Sequence, residues 1–134
     1  MDYKFRGKRT NTEEWVFGYY TKEWYRDGVG GSSIRHYIYD FNIQKQFRVI
    51  PETVGQFTGF TDINSKEIYH KDIVAGIYYG YSRTGIVEWD KRLGKWIVDY
   101  NGNYDDLWTV LRFCQGEVIG NIHDNPSLIT PPGT

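Results

Sequence analysis

Apolar and polar residues alternate along much of this chain with the period of strands. Tyr3-Lys4-Phe5-Arg6-Gly7-Lys8 alternates with period two, the signature of a half-buried strand. After turn chemistry at Asn11 and Thr12, Trp15-Val16-Phe17-Gly18-Tyr19-Tyr20 opens an aromatic strand that can run on through Trp24 and Tyr25. Gly28-Val29-Gly30-Gly31-Ser32-Ser33 is a flexible connection, as in a long hairpin, and the chain returns as a strand from Ile34 to Phe41. One face of that strand carries Ile34, His36, Ile38 and Asp40; the other carries Arg35, Tyr37, Tyr39 and Phe41. The pattern leaves open which face is buried. Gln46–Ile50 closes this group before Pro51. Residues 51–60 mix strand formers with glycines, as in a bent or bulged segment, and residues 61–66 read as a turn.

In the second half, Glu67–Val74 fits one strand, or a short helical turn leading into a strand. Ile77–Tyr81 and Gly85–Trp89 are predicted to pair around Ser82-Arg83-Thr84, and Lys95–Tyr100 to follow through Asp90–Gly94. Asp106–Phe113 fits a strand or one to two helical turns, and Glu117–Ile122 is a last strand. Pro126 and Pro131-Pro132-Gly133-Thr134 stop regular structure. Short strands between turn signals indicate an all-β or β-rich fold. The expected organisation is an aromatic, β-rich N-terminal subdomain over residues 1–56, a small SH3-like β-barrel over 57–126, and a loose tail over 127–134.

A chain of 134 residues can bury a core without metals or disulfides. Twelve Tyr, seven Phe and five Trp give more ring surface than so small a core absorbs. Some rings are therefore expected at an interface or binding face, although half-exposed Tyr is ordinary. Sixteen basic against seventeen acidic residues leave a net charge of −1, which argues neither for a polyanion ligand nor against a local basic patch. Cys114 is the only cysteine, so no intrachain disulfide is possible, and a lone thiol fits a reducing compartment. The N-terminus, Met1 to Arg6, lacks the apolar stretch of a secretory leader, and no apolar run approaches the ~20 residues of a membrane helix. The expectation is a cytoplasmic protein without a membrane partner.

Four segments resemble the YopX family of phage and prophage proteins. They are Lys4-Phe5-Arg6-Gly7-Lys8-Arg9 followed by Glu14–Tyr20; Ile50–Gly59; Lys66-Glu67-Ile68-Tyr69 with Asp72-Ile73-Val74 and Gly85–Trp89; and Ile119-Gly120-Asn121-Ile122 with Asp124-Asn125-Pro126. They span nearly the whole chain in the family's order. The resemblance implies a phage or prophage origin, a β-rich fold and self-association, and it implies no activity. The sequence departs from the family pattern at two turns. The usual Asn-Gly stands here as Asn64-Ser65, and a frequent Glu-Gly as His70-Lys71. Glycine takes positive φ at little cost and Ser and Lys do not, so the family's turn geometry is in question at both sites. The family-like glycines Gly7, Gly18, Gly55, Gly59 and Gly120 lie in or beside strands, where glycine marks bulges or close backbone approach. Asp124-Asn125-Pro126 is turn chemistry.

None of these patterns is a catalytic kit. His36, His70 and His123 are widely spaced, with Asp72 two residues from His70 and Asp124 beside His123. No metal-ligand spacing is present, so a histidine site would have to be assembled from distant strands. Cys114 sits in apolar context, as an inert thiol does. Glu52, Glu67, Asp72, Glu88, Asp105 and Asp106 are carboxylates with no pairing that sequence can show. Gly28–Gly31 lacks the Lys and Ser/Thr of a phosphate loop. No cofactor, no metal and no enzymatic activity are therefore expected. Lys4, Arg6 and Lys8 share one strand face, and Trp24, Tyr25, Arg26, Arg35 and Tyr37 mix charge with rings around the flexible loop. Single-strand nucleic-acid binders combine these two features, and so does a solvated strand face that protects a sheet edge. The leading expectation is a phage-encoded, non-enzymatic homo-oligomer with a protein partner. A single-stranded nucleic-acid-binding β protein is the alternative, and a hydrolase using scattered His and carboxylates comes third.

Overall fold

The computed structural model describes residues 4–129. The chain divides between Phe57 and Thr58 into two compact units. It is β-rich, with antiparallel sheets and one α-helix among the described residues.

The first unit contains β1 (Phe5–Lys8), β2 (Trp15–Arg26), β3 (Ser32–Asp40) and β4 (Lys45–Arg48), hydrogen-bonded in the order β4-β3-β2-β1. Gly55 and Gln56, at the start of β5 (Gly55–Thr61), pair with Arg6 and Phe5 on the free side of β1. A 3-10 turn over Pro51–Thr53 leads into β5, and the Thr53 hydroxyl ties it down. That oxygen accepts from the Lys8 N–H at 2.9 Å and donates to the Ile50 carbonyl at 2.6 Å. Val16, Ile38 and Val49 form the core, with Phe5, Tyr20, Phe47 and Val54 packed against them. The buried face of β3 is thus the one that carries Ile38. A Cβ on Gly18 would overlap the Tyr39 carbonyl oxygen, so the backbones of β2 and β3 meet there as only glycine allows. The β2–β3 ribbon runs further than the sequence indicates, to Arg26 paired with Ser32. The connection shrinks to Asp27–Gly31 because the Asp27 carboxylate accepts from the N–H groups of Val29 (3.1 Å) and Gly31 (2.8 Å).

The second unit holds β6 (Glu67–Tyr69), β7 (Asp72–Tyr78), β8 (Tyr81–Asp90), β9 (Lys95–Tyr100), β10 (Asn103–Asp106), α1 (Leu107–Phe113) and β11 (Glu117–Asn121). Its five-stranded sheet has the order β10-β9-β8-β7-β11. Ile68, Val74, Val87, Val98, Leu107 and Val110 are fully buried in its core, joined by Tyr100, Cys114 and Val118. Of the residues from Asp106 to Phe113, Asp106 ends β10 and Leu107–Phe113 form the helix. Leu107, Val110 and Cys114 recur at helical spacing and seal the core, which a strand's alternation would split between two faces. The expected barrel is not seen closed. The connection from β10 to β11 is α1, packed on the core, and no sheet closes among the described residues.

One turn departs from expectation, and two whose geometry was open are settled. β7 and β8 meet at Tyr79-Gly80, with φ of 48° and 85°, a two-residue hairpin turn. Ser82, Arg83 and Thr84, expected to form that turn, pair within the sheet with Ile77, Gly76 and Ala75. Tyrosine at a left-handed position hid the true turn. Ser65 (φ 65°) and Lys71 (φ 73°) both adopt the geometry that the family's glycines would supply. Asp62 enforces the first: Oδ1 accepts from Asn64 and Lys66, both at 2.9 Å, and Oδ2 accepts from the buried Val118 N–H at 2.8 Å. The buried Asp72 supports the second by accepting from the Tyr69 N–H at 2.8 Å. Of the tail expected to be loose over 127–134, the residues up to Ile129 lie in a 3-10 turn, Pro126–Ile129. Residues 130–134 lie outside the described residues, as do Met1 and Asp2 of the N-terminus and Tyr3 of the first expected strand.

Two stability predictions follow from these contacts. Asp62→Ala strands three backbone donors, one of them buried, and is expected to cost about 3 kcal/mol in urea denaturation. Asp27→Ala, at an exposed turn of similar chemistry, should cost less than about 1 kcal/mol. Equal costs would contradict the role given to Asp62. The second concerns Tyr78 and Tyr100, whose hydroxyls hydrogen-bond each other, with Tyr78 also donating to Asp105 at 3.0 Å. Burial pushes both phenols above their ordinary range. A raised folded-state pKa is stability present at lower pH and lost at higher pH, so the melting temperature should fall from about pH 10 upward. Tyr78→Phe should flatten that fall, and an unchanged pH profile in the variant would refute the assignment.

Candidate functional site

Strand pairing sorts the first unit's side chains onto two faces, because directly paired residues point to the same side. Tyr20–Ile38, Lys22–His36 and Trp24–Ile34 belong to the core side. On the opposite side, Arg6 pairs with Phe17 and Lys8 with Trp15. The same side carries Tyr19–Tyr39, Thr21–Tyr37, Glu23–Arg35 and Tyr25–Ser33. β4 adds Arg48, opposite Tyr37, and Gln46, opposite Tyr39.

Six of the eight residues singled out from sequence meet on this second side: Lys4, Arg6, Lys8, Tyr25, Arg35 and Tyr37. Trp24 and Arg26 do not. They alternate onto the core side of the ribbon, beyond the core itself, where Trp24 is 75% exposed. Sequence reasoning missed Trp15, Phe17, Tyr19, Tyr39 and Arg48, all placed on the same side by register. The available signal was the odd-numbered run Trp15, Phe17, Tyr19, three rings at period two.

Cations and rings are interleaved on this face. Lys4 Nζ lies 5.3 Å from the Phe57 ring centroid, and Trp15 is flanked by Arg6 at 4.6 Å and Lys8 at 5.5 Å. The Arg35 guanidinium carbon is 3.3 Å from the Tyr25 centroid, and its buried Nε has no hydrogen-bond acceptor. The ring's π-face is the partner of that group. Phe41 extends the aromatic surface by edge contacts with Tyr19 (4.4 Å) and Tyr39 (4.7 Å). Phe17, Tyr19, Tyr25 and Phe41 are each more than two-fifths exposed. At the paired positions of this face, Glu23 is the one acid against Arg6, Lys8, Arg35 and Arg48. A chain of net charge −1 thus carries a locally basic sheet face.

The model of the family described as YopX protein matches residues 4–130. The chain belongs to the YopX family. Among solved structures it is similar to protein EF1440 from Enterococcus faecalis, at 25% identity over 96% of this chain and 98% of that one, with a TM-score of 0.42. Comparison with curated proteins gives no match.

In this YopX-family chain the histidines serve local contacts. The His36 Nδ1 and the Tyr20 hydroxyl share a hydrogen bond, and the two rings stack at 5.8 Å. His70 Nε2 is 3.1 Å from Glu88, which also pairs with Lys71. The His123 N–H donates to Asn121 Oδ1 at 3.0 Å, in the turn that Asp124, Asn125 and Pro126 complete. Among the described residues no group of three His, Cys, Asp or Glu side chains is placed to hold a metal ion. Cys114 is buried in the second unit's core. No helix among the described residues is long and apolar enough to cross a membrane.

Proposed function

We propose that this YopX-family protein is a phage-encoded, non-enzymatic binding module of the host cytoplasm, and that its basic, aromatic sheet face takes single-stranded nucleic acid. One observation carries the reading: register places Lys8, Arg35 and Arg48 among Trp15, Phe17, Tyr19, Tyr25, Tyr37 and Tyr39 on one side of a sheet, Lys4 alternates onto that side over Phe57, and Arg6 is buried there beside Trp15. Cations following a backbone and rings open to stacking are the two requirements for holding an unpaired strand. A strand's splayed bases stack on exposed rings, and duplex bases cannot. The second unit's meander, whose first strand also pairs with its last, supports reading it as an open SH3-like sheet.

Self-association is the second reading. The exposed cross-strand pair Trp24–Ile34 favours it, on the core side of the ribbon and opposite the basic face. A protein partner competes for the same pair. Light scattering on wild type and Trp24→Ala distinguishes them: an oligomer should dissociate in the variant, and a 15.8 kDa monomer in both would remove this reading.

Fluorescence anisotropy with a labelled single-stranded oligonucleotide tests the principal proposal. With about four accessible phosphate contacts, log affinity should fall with log salt at a slope near −3. Tyr19→Ala should weaken binding by roughly tenfold, the loss of one stacked base. Lys8→Ala with Arg48→Ala should flatten the salt slope, whereas Trp24→Ala with Arg26→Ala should leave affinity within about twofold. No binding at low salt, or a loss confined to the Trp24/Arg26 variant, would overturn the proposal.

A further inference from the structure

The second unit contains a cleft of about 320 Å³ lined by Phe60, Trp89, Trp96, Trp108, Lys95 and Asp106. Its size falls at the lower end of small-molecule sites, and its make-up is theirs too, aromatic walls with a few converging polar groups. Trp89 and Trp96 face each other across β8 and β9, edge to face at 5.2 Å. Trp89 and Trp108 are each near half exposed, so much of three indoles' surface borders solvent or the cleft.

Asp106 supplies the cleft's polar side together with Lys95. It stands at the N-cap position of α1, where an aspartate ordinarily accepts from the helix's first N–H groups, yet its side chain makes no capping bond. Its carboxylate instead meets Lys95 Nζ at 2.5 Å. The pair presents a hydrogen-bond acceptor and a donor side by side among the rings.

We propose that this cleft binds a guanine base. The indoles select a flat π-system, and the polar pair selects which one. Guanine presents two adjacent N–H donors, N1–H and N2–H2, beside the O6 acceptor. A carboxylate accepts both donors while an ammonium donates to O6. Adenine and cytosine each offer one exocyclic amine on that edge, and uracil and thymine offer a single N–H, so none satisfies both carboxylate oxygens. A quaternary ammonium, the other ligand favoured by indole cages, would meet the Lys95 charge in the lining. A proline-rich peptide would leave the charged pair without a role. The base can belong to a free nucleotide or to a strand. The inference does not depend on the sheet face of the first unit.

The test titrates the full chain with the 5′-monophosphates of guanosine, adenosine, cytidine and uridine, following tryptophan fluorescence and calorimetry. Guanosine monophosphate should bind at least about tenfold more tightly than the others, and Asp106→Asn should remove that preference, as loss of a charge-assisted bond requires. Trp108→Ala, at an exposed site, should weaken all four. Because Asp106 makes no capping bond, Asp106→Asn should keep the wild-type circular dichroism spectrum and melting temperature. A second arm compares oligothymidine strands with and without one central dG, in wild type and in Lys8→Ala/Arg48→Ala. An Asp106-dependent gain from the dG, with or without binding of the free nucleotide, identifies a strand as the source. That gain should persist in the Lys8/Arg48 variant even if overall affinity falls, which separates the cleft from the sheet face. Equal binding of all four nucleotides together with no Asp106-dependent gain from the dG would overturn the proposal.

Discussion

The register between β2 and β3 is the constraint on which the first unit depends. With Tyr20 opposite Ile38, the core side of the sheet receives Ile38 and the other side receives Tyr19, Tyr39, Tyr37 and Arg35. A slip of one residue would exchange the faces, driving Arg35 and Tyr37 toward Val16 and Val49 and sending Ile38 to water. Gly18 guards against that slip. Only a residue without a Cβ fits beneath the Tyr39 carbonyl, and either neighbour of Gly18 would bring a bulky ring there. The same locked register aligns the rings and cations of the outer face, so one constraint sets both stability and the proposed binding surface.

The outer face is also partly preorganised. Arg6 and Lys8 bracket Trp15, Lys4 sits over Phe57, and Arg35 lies on Tyr25. Each such contact is worth roughly 0.5–1 kcal/mol at an exposed site, little for stability but enough to restrict rotamers. Restricted side chains lose less entropy on binding. Tyr19 and Phe41 instead meet edge to face and stay about half exposed. The charged groups of the second unit are arranged differently: Asp62 and Asp72 spend their oxygens on backbone N–H groups, while Asp106 forgoes that use.

Much of the first unit was legible in the sequence because strand alternation there is strong. Period two in Lys4–Lys8 and Trp15–Tyr20 gave the strands, and it correctly grouped Lys4, Arg6 and Lys8. Tyr25, Arg35 and Tyr37 also reached the face. Trp24 and Arg26 did not, because proximity to a loop was allowed to outweigh alternation: even-numbered residues of β2 cannot share a side with Tyr25. The second unit was harder to read. The hairpin at Tyr79-Gly80 has the usual glycine only at its second position, and strand pairing on both sides holds a tyrosine at positive φ in the first. The helix at Leu107–Phe113 is too short for its period to outvote a strand reading, and its existence depends on covering Val98 and Tyr100. The tryptophan cleft was invisible because Phe60, Trp89, Trp96 and Trp108 come from four separate stretches of chain.

The central claim is that the outer side of the first unit's sheet is the contact surface for an unpaired strand. It is tested most directly by recording amide and side-chain NMR shifts of the labelled protein during titration with a single-stranded oligonucleotide. The account predicts shifts concentrated at Lys8, Phe17, Tyr19, Arg35, Tyr37 and Arg48, with Trp24 and Arg26 unmoved. Shifts centred on Trp24, Arg26 and Ile34, or no shifts at all at low salt, would contradict it.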